Sequence, residues 1–256
     1  MKVVCWNVNG LRAAIRKNLD KHVSRLKPDV LMMQEVRALP EQLDPKWGRP
    51  RRWQVEWQPA VKLGYSGVAT FSRSSQERLS SGMDGPDPQG RVLCTRTQGV
   101  LIANIYLPSG SAKPEAQERK EVFMERFLPW SARLAALGEP VLLGGDLNIA
   151  HTVDDIHNPT ANKKNSGFLP HERAWFSTLL ASGWTDTTRA AHPGEKGPFS
   201  WWSNRGRARE LNRGWRIDYL LANPAAEALI TSASIDRKGG MEVSDHAPVI
   251  VELDLP

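Results

Sequence analysis

The chain has 256 residues, of which 34 are Lys or Arg and 28 are Asp or Glu, so its formal charge is +6. A hydrophobic fraction of 40% excludes a disordered chain. No apolar run approaches the roughly 18 residues of a membrane helix, and residues 1–7 lack the apolar core of a signal peptide. Cys5 and Cys94 cannot form a disulfide framework. We therefore expect a reduced, cytoplasmic protein, and the charge indicates a polyanionic partner only weakly.

Hydrophobic periodicity predicts an alternation of strands and helices. Strands are expected at residues 2–6, 29–33, 54–57, 67–71, 91–96, 100–106, 141–143, 217–221 and 248–253. Helices are expected over residues 11–26, over residues 115–137 with a kink or split at Pro129, and over residues 170–180. Long loops are expected at residues 37–53, 73–90 and 150–169. Because no linker divides the chain, we expect a single α/β domain over residues 1–256, with two packed, mostly antiparallel sheets flanked by helices.

Polar side chains follow the predicted strands at the points where the strands end. They are Asn7, Glu35, Asp146, Asn148, Asp218, Asp245 and His246. Taken singly, most have an ordinary explanation: Glu35 could cap a turn, Asp146 could be a turn residue beside two glycines, and Asp245 with His246 could form an Asx turn. Asp218 lies in an apolar run and therefore needs a buried partner. Together these positions favour one pocket lined by acids and amides.

Several carboxylates in one pocket repel each other unless a cation neutralises them. Oxygen-rich ligand sets suit Mg²⁺ or Mn²⁺, and the scarcity of cysteine and histidine argues against a structural Zn²⁺ site. Phosphodiester hydrolysis needs a divalent cation, a carboxylate that orients or deprotonates water, and neutral donors for the phosphate oxygens. The pattern therefore predicts a cofactor, Mg²⁺ with Mn²⁺ as a substitute, and hydrolysis of a phosphate ester.

Eight short motifs occur in order along nearly the whole chain. They are WNVNGLR (6–12), QE (34–35), GYSGVA (64–69), YLPSG (106–110), GDLN (145–148), NKKNSGF (162–168), GWRIDY (214–219) and SDHAP (244–248). Any one is weak evidence, but the ordered set resembles the exonuclease III family of abasic-site endonucleases. The resemblance implies the four-layer α/β sandwich of the DNase I-like endonuclease/exonuclease/phosphatase superfamily, in agreement with the two packed sheets predicted above.

The resemblance also implies roles for individual residues. The metal ligands would be Glu35, helped by Asn7 and Asp245, and a second metal site could comprise Asp146, Asn148 and His246. The catalytic set would be Asn7, Tyr106, Asp146, Asn148, Asp218 and His246. Within that set, Asp146 would orient or deprotonate the attacking water, and Asn148 would stabilise the transition state. Asp218 would hold the phosphate-contacting His246. The number of metals and the identity of the general base stay open.

Five arginines lie between residues 203 and 216 and are flanked by tryptophans. This composition suits phosphate contact beside an apolar pocket, but it also suits a solvated basic loop over core tryptophans. By resemblance, Trp201, Trp215 and Ile217 line a pocket for a flipped-out abasic deoxyribose. The expected DNA contacts are Arg12, Ser109, Asn162, Asn165, Trp201, Arg205, Trp215 and Ile217. Three positions depart from the common family pattern: Asn9 is an amide, Arg37 replaces a lysine, and Arg205 stands where some relatives insert an apolar side chain.

The resemblance implies a divalent-metal-dependent DNA repair phosphodiesterase that cuts 5′ to abasic sites, with 3′–5′ exonuclease and 3′-phosphatase activity in unknown proportion. Its partner would be duplex DNA with abasic sites or with blocked or recessed 3′ ends, and the protein would be a monomer at the bacterial nucleoid. Two alternatives stay open, a phosphatase of the same superfamily for a phospholipid or inositol phosphate, and a DNA-binding module with a decayed site. The polar loop at 162–165 argues against the first, and the complete set of acids, amides and histidine argues against the second.

Overall fold

Two six-stranded β-sheets form the centre of the computed structural model, which describes residues 1–111, 113–237 and 242–255. From edge to edge, the first sheet contains β11 (Ile230–Ile235), β12 (Val249–Leu253), β1 (Lys2–Asn7), β2 (Val30–Gln34), β4 (Val68–Ser72) and β3 (Gln54–Gln58). The second contains β5 (Gln76–Ser81), β6 (Val92–Thr97), β7 (Val100–Tyr106), β8 (Val141–Asp146), β10 (Asp218–Ala222) and β9 (Thr185–Asp186). One central pair in each sheet is parallel, β1 with β2 and β7 with β8, and the other neighbours are antiparallel. The prediction of two mostly antiparallel sheets is confirmed.

Helices cover the outer faces of both sheets. The described helices are α1 (Leu11–Arg16), α2 (Leu19–Leu26), α3 (Pro45–Gly48), α4 (Pro114–Ala135), α5 (Pro159–Asn162), α6 (Pro170–Ala181), α7 (Thr187–Ala191) and α8 (Pro224–Glu227). Leu19 and Val23 of α2 share a buried cluster with Leu31 of the first sheet. On the opposite side, Phe127 of α4 and Phe176 of α6 share a cluster with residues of the second sheet. Within the described ranges, no helix is both long enough and apolar enough to cross a membrane.

A third buried cluster lies between the sheets and joins them. It contains Cys5 of β1, Met32 of β2, Ile102 of β7 and Leu142 of β8, all fully buried. Because alternate residues of a strand point to opposite faces, each central strand contributes to this inner layer and to the layer under the helices. The order helix, sheet, sheet, helix is the four-layer α/β sandwich that the sequence predicted.

Two helix predictions need correction. Residues 11–26 form two helices, α1 and α2, because Asn18 adopts a left-handed conformation with φ of 64° that ends the helical path. Asparagine tolerates this conformation better than most residues. In contrast, α4 is a single helix of 22 residues that contains Pro129, so the helix is not split there, and the kink at Pro129 stays a prediction. Pro129 is exposed, so the carbonyl of Glu125 that lacks its helical hydrogen bond lies on the solvent side of the helix.

The predicted loops also contain regular structure. Residues 73–90 include β5, and residues 37–53 and 150–169 include the short helices α3 and α5. β5 has the sequence QERLSS and lies at a sheet edge, where both faces are largely exposed. Polar edge strands lack the alternating apolar pattern on which the prediction depended. The same reason applies to β11 at the edge of the first sheet, which the sequence did not predict.

Candidate active site

The ends of five central strands meet at one edge of the two packed sheets. Asn7 ends β1, Tyr106 ends β7 and Asp146 ends β8. Asp218 begins β10 and lies directly opposite Asp146 in the antiparallel register, whereas Tyr106 is opposite Asp146 in the parallel register. Glu35 directly follows the end of β2. The strand register therefore brings Tyr106, Asp146 and Asp218 together, and Asn7 and Glu35 lie at the ends of the neighbouring strands β1 and β2.

These residues line a cavity of about 560 Å³ that is open to solvent. Its walls are formed by Asn9, Glu35, Arg37, Tyr106, Ser109, Gly110, Ser111, Asp146, Asn148, Lys164, Asn165, Ser166, Gly167, Trp201, Trp215, Ile217, Asp245 and His246. We call this space the catalytic cavity. Most of the sequence-predicted site residues are among its walls, and Asn7 and Asp218 lie buried directly beneath it.

Asn7 connects the two central carboxylates. Its amide Nδ2 donates to Glu35 Oε1 at 2.9 Å and to Asp146 Oδ2 at 2.9 Å, and its Oδ1 accepts from the backbone N–H of Asn9 at 2.9 Å. Arg37 forms an ion pair with the other oxygen of Glu35. Glu35 has a positive φ of 51°, an unusual conformation for a residue with a Cβ and one that is often retained at functional sites. The position of the Glu35 carboxylate is therefore fixed from both sides.

Asp218 and His246 form a buried pair on the other side of Asp146. His246 Nδ1 lies 2.8 Å from Asp218 Oδ2, and Ser200 Oγ donates to the same oxygen at 2.7 Å. The second ring nitrogen, Nε2, faces Asp146 at 3.9 Å. The sequence-based expectation that Asp218 needs a buried partner is met by this contact. With Nδ1 held by Asp218, the imidazole presents Nε2 to the catalytic cavity.

Burial and neighbouring charges change the proton affinities of these groups. Burial, followed by the charges of Asp218 and Glu35, raises the pKa of Asp146. Burial alone would lower the pKa of His246, but Asp218 outweighs it and raises that pKa to about 10. Burial, followed by the charges of Glu35 and Asp146, raises the pKa of the Tyr106 phenol. The cavity floor thus combines a cationic imidazolium with carboxylates that a further cation would stabilise.

Three ligand atoms, one each from Glu35, Asp146 and His246, lie within 4.8 Å of one another. The two carboxylates are suitable donors for Mg²⁺ or Mn²⁺, and His246 in its protonated state lies beside them as a hydrogen-bond donor. Burial, followed by the charge of Asp218, raises the pKa of Asp146, and a bound divalent cation would favour its ionised form. The residues present therefore fit a divalent metal ion.

Asp245 lies outside this group of ligands, although the sequence predicted that it assists Glu35. One carboxylate oxygen of Asp245 accepts from Asn9 Nδ2 at 2.8 Å, and the other accepts from Trp201 Nε1 at 3.1 Å. Burial works against ionisation of Asp245, but His246, Asn9 and Trp201 together lower its pKa. In the structure Asp245 positions a wall of the catalytic cavity, and its assistance to Glu35 stays a prediction; the carboxylate that Asn7 joins to Glu35 is that of Asp146.

Asn148 and Tyr106 complete the floor of the catalytic cavity. The backbone N–H of Asn148 donates to Asp146 Oδ1 at 2.9 Å, and its side-chain Nδ2 donates to the carbonyl of Leu107 at 2.8 Å. The guanidinium of the buried Arg91 lies 4.7 Å from the centre of the Tyr106 ring and donates to the carbonyl of Tyr106 at 3.0 Å. Arg91 also donates to the Tyr65 hydroxyl at 2.9 Å, so it joins the GYSG loop to the site. This contact of Arg91 could not be identified from the sequence, because a lone arginine before a strand has no distinctive pattern.

The apolar wall consists of Trp201, Trp215 and Ile217. Trp201 and Trp215 pack edge to face with ring centres 6.0 Å apart, and Ile217 and Phe168 belong to the same small cluster. The backbones of Trp201 and Trp215 are joined by an isolated antiparallel bridge, and a second bridge joins Trp201 to His246. The three residues that the sequence assigned to a lesion pocket therefore lie together beside the acids.

The remaining predicted DNA contacts divide into two sets. Ser109 and Asn165 line the catalytic cavity, and Lys164 lies with them. Arg12, Asn162 and Arg205 are not among its walls. Asn162 accepts from Asn165 Nδ2 at 2.9 Å and thus supports the wall from behind.

The arginine-rich stretch is less basic at the surface than its composition indicates. Arg216 is fully buried and forms ion pairs with Asp155 and Asp186, each at 2.7 Å. Arg207 pairs with Glu210. The interpretation of all five arginines as a phosphate-contacting surface is therefore wrong for Arg216, which instead fixes the chain between Trp215 and Ile217.

A buried ion pair that the sequence analysis missed supports the opposite wall. Lys120 of α4 and Glu172 of α6 are both fully buried, with Nζ and Oε1 2.6 Å apart. Lys120 also donates to the carbonyl of Asn148 at 2.9 Å, and Glu172 accepts from the backbone N–H of Gly167 at 2.7 Å. Lys120 lies in a helix rich in charged residues, and Glu172 lies in the first turn of α6, where an acid is common, so neither buried charge could be distinguished by sequence.

The chain is similar to known nucleases over nearly its whole length. The sequence profile described as the Endonuclease/Exonuclease/phosphatase family matches residues 4–246. An exodeoxyribonuclease from Bacillus subtilis is 36% identical over 252 residues, covering 97% of this chain and 98% of that protein. A DNA-(apurinic or apyrimidinic site) endonuclease from Dictyostelium discoideum is 31% identical, covering 100% of this chain and 71% of that protein. The 3′ phosphatase NExo from Neisseria, solved with a product DNA hairpin, superposes with a TM-score of 0.90 at 29% identity and 99% coverage of both chains.

Proposed function

The chain belongs to the Endonuclease/Exonuclease/phosphatase family, and on this premise we propose that it is a divalent-metal-dependent DNA repair phosphodiesterase. It hydrolyses the phosphodiester bond 5′ to an abasic site in duplex DNA and also acts at 3′ ends as an exonuclease and phosphatase. The chain is a phosphodiester hydrolase of the nuclease superfamily. The names of two relatives, exodeoxyribonuclease and DNA-(apurinic or apyrimidinic site) endonuclease, support both parts of the proposal.

The proposed chemistry rests on the position of Asp146. Asn7 connects Asp146 to Glu35 on one side, and the His246–Asp218 pair lies on its other side. The Oδ2 atom of Asp146 lies 2.9 Å from Asn7 Nδ2 and 3.9 Å from His246 Nε2. A carboxylate of raised pKa accepts a proton from water more readily than an ordinary surface carboxylate. Asp146 is accordingly the residue that orients and deprotonates the attacking water.

Glu35 and Asp146 would hold Mg²⁺, with Mn²⁺ as a substitute. When bound, the cation supplies charge stabilisation for the phosphate and the leaving oxygen. The imidazolium of His246, kept protonated by Asp218, donates to a non-bridging oxygen of the phosphate. Asn148 lies beside Asp146 in the catalytic cavity, and its amide provides a neutral donor to the same phosphate group.

The apolar wall provides selection for a nucleotide without a base. Trp215 and Ile217 form a surface against which a bare deoxyribose can pack. The backbone of Gly167 lies against the Trp215 ring, and a Cβ at position 167 would lie 3.1 Å from that ring. In this proposal a bare deoxyribose packs against the wall in preference to a nucleotide that retains its base, and flipping costs least where base pairing is already lost. Ser109, Lys164 and Asn165 at the rim are placed to contact flanking phosphates, and Arg12, Asn162 and Arg205 contact the duplex farther out.

The test is cleavage of a duplex that contains one tetrahydrofuran abasic analogue, measured with Mg²⁺ for the Glu35→Ala and Asp146→Asn variants. Each variant should lose about 10³-fold or more in kcat/KM, as expected when a metal ligand or general base is removed. Glu41→Gln, which neutralises an exposed acid elsewhere, is the matched control and should cleave normally. Normal cleavage by Asp146→Asn would refute the assignment of the base. Turnover of an inositol phosphate or phospholipid without cleavage of the duplex would favour the alternative within the family.

Recessed 3′ ends and 3′-phosphate ends should be compared with the abasic duplex in the same assay. The 3′ phosphatase NExo superposes on nearly the whole chain, which supports activity at 3′ ends. Because the same floor residues act on any phosphate placed above Asp146, the Asp146→Asn variant should lose all three activities together. Loss of one activity alone would show that a different group serves the other substrates.

A further inference from the structure

A second cavity, of about 480 Å³, lies far from the catalytic cavity. We call it the distal cavity; its walls are Asp20, Val23, Ser24, Pro45, Lys46, Trp47, Arg49, Pro50, Arg51, Arg52, Trp53 and Arg73. Arg73 follows the last residue of β4, which pairs with Val30 at the start of β2, whereas the catalytic cavity lies beyond the end of β2 at Gln34. At about 3.3 Å per residue, the two ends of β2 are roughly 13 Å apart. The distal cavity therefore opens at the opposite end of the first sheet.

The walls of the distal cavity carry a strong excess of positive charge. Asp20 is the single acid among them, and it already forms an ion pair with Lys46 at 2.7 Å. Four arginines remain, Arg49, Arg51, Arg52 and Arg73, and all four are exposed. Over residues 1–111, 113–237 and 242–255, none of these guanidinium groups has a carboxylate within 4.0 Å. Like charges gathered around a concave surface repel each other unless an anionic ligand joins them.

The cavity also has an aromatic floor. Trp47 and Trp53 pack edge to face on Phe71, with ring centres 5.9 Å and 6.1 Å away, so both rings are held in place. Arg73 stacks over Trp53 with its guanidinium carbon 4.0 Å from the ring centre. Trp47 is only 6% exposed, and in the described part of the chain its indole N–H has no hydrogen-bond acceptor. The indole nitrogen is itself shielded from solvent, so Trp47 contributes to the cavity through the edge of its ring.

We propose that the distal cavity binds an acidic peptide segment of a partner protein, with one apolar side chain against the tryptophans and neighbouring carboxylates paired with the four arginines. Guanidinium groups bind carboxylates through two parallel hydrogen bonds, and rigid aromatic rings provide an anchor for an apolar side chain.

A peptide fits this cavity better than a nucleic acid does. A concave space of about 480 Å³ suits a ligand of drug size or the end of a peptide, whereas a duplex needs an extended groove. The cavity also lies at the end of β2 that is opposite to the catalytic edge of the sheets. The site therefore serves recruitment of the enzyme and not the chemistry.

The experiment is fluorescence anisotropy of the full chain with a fluorescein-labelled hexapeptide of four aspartates followed by leucine and phenylalanine. We expect saturable binding that weakens as salt is raised, and a loss of at least about tenfold in affinity for the double variant Arg51→Ala/Arg52→Ala. Trp53→Ala should also weaken binding. Arg119→Ala/Arg133→Ala removes two exposed arginines from α4 on the other sheet and should bind the peptide normally. Circular dichroism establishes that each variant is folded.

Two further measurements make the outcome decisive. The Arg51→Ala/Arg52→Ala variant should cleave the abasic duplex at the normal rate, because neither arginine lies in the catalytic cavity. No saturable peptide binding, or equal binding by the two double variants, would overturn the proposal. A fall in affinity for labelled undamaged duplex in Arg51→Ala/Arg52→Ala, with peptide binding unchanged, would also overturn it and would identify the cavity as a nucleic-acid contact.

Discussion

Replacing Lys120 by methionine should destabilise the fold and the catalytic cavity together. The substitution keeps the length of the side chain but leaves Glu172 buried without its partner, since both residues are fully buried and 2.6 Å apart. Removing one partner of a buried ion pair costs about 3–5 kcal/mol. For a chain of this size such a loss lowers Tm by roughly 6–20 °C.

The effect should reach catalysis because the pair holds two parts of the catalytic cavity. Lys120 donates to the carbonyl of Asn148, and Glu172 accepts from the N–H groups of Gly167 and Leu169 at 2.7 Å and 3.0 Å. When Lys120 is lost, the unpaired carboxylate draws water or a proton into the wall and the loop at 165–169 shifts. We expect a fall of about 10–100-fold in kcat/KM on the tetrahydrofuran duplex, the range found for groups that support a ligand from behind.

Chemical denaturation and the cleavage assay are run on three variants. Lys120→Met/Glu172→Gln removes the uncompensated charge while keeping an acceptor for Gly167, so it should be more stable than Lys120→Met alone. Lys21→Met makes the same change at an exposed position of α2 and should stay within about 0.5 kcal/mol of the parent. A loss below about 1 kcal/mol for Lys120→Met, or a double variant no more stable than the single one, would refute the reasoning.

Three further predictions concern other buried groups. Asp218→Asn removes the charge that orients His246, so kcat/KM should fall about 10–100-fold while the variant stays folded; a change below twofold in the cleavage assay would contradict this role. Burial of Asp155 works against its ionisation, but Arg216, the Thr152 amide and Arg189 together lower its pKa in the folded state. Its contribution to stability is therefore complete above its unfolded pKa of about 3.9 and is lost as pH falls through the lower folded value; Asp155→Asn should flatten the drop in unfolding free energy between about pH 5 and pH 3 in denaturant titrations. Gly145→Ala should yield little folded protein, because Gly145 has φ of 145° and a Cβ there would collide with the carbonyl of Ile105, whereas Gly138→Ala meets no atom within 4 Å and should fold normally by circular dichroism.

The positions of the acids were predictable because they depend on strands, which the sequence displays well. Buried central strands are apolar runs, and each ends at a polar residue, as at Gln34-Glu35 and at Asp146. Parallel pairing of β1 with β2 and of β7 with β8 then places those ends on one edge. The hydrogen-bond partners of each carboxylate could not be predicted from the sequence. Asp245 follows the same pattern as Glu35, yet its oxygens are taken by Asn9 and Trp201.

Charge was the least predictable property, because composition does not show which cations are already paired. The stretch 203–216 has five arginines, but Arg216 is buried between two aspartates and Arg207 pairs with Glu210. By contrast, residues 49–52 include three arginines in what the sequence indicated only as a long loop, and in the structure they surround a cavity whose single acid is already paired. The net charge of +6 is therefore unevenly available: arginines of the stretch 203–216 are partly paired with acids, whereas, among the described residues, those around the distal cavity are not. The binding energy available to an anionic partner depends on unpaired guanidinium groups held near each other. On that criterion the distal cavity is a stronger site for carboxylates than the arginine-rich stretch 203–216.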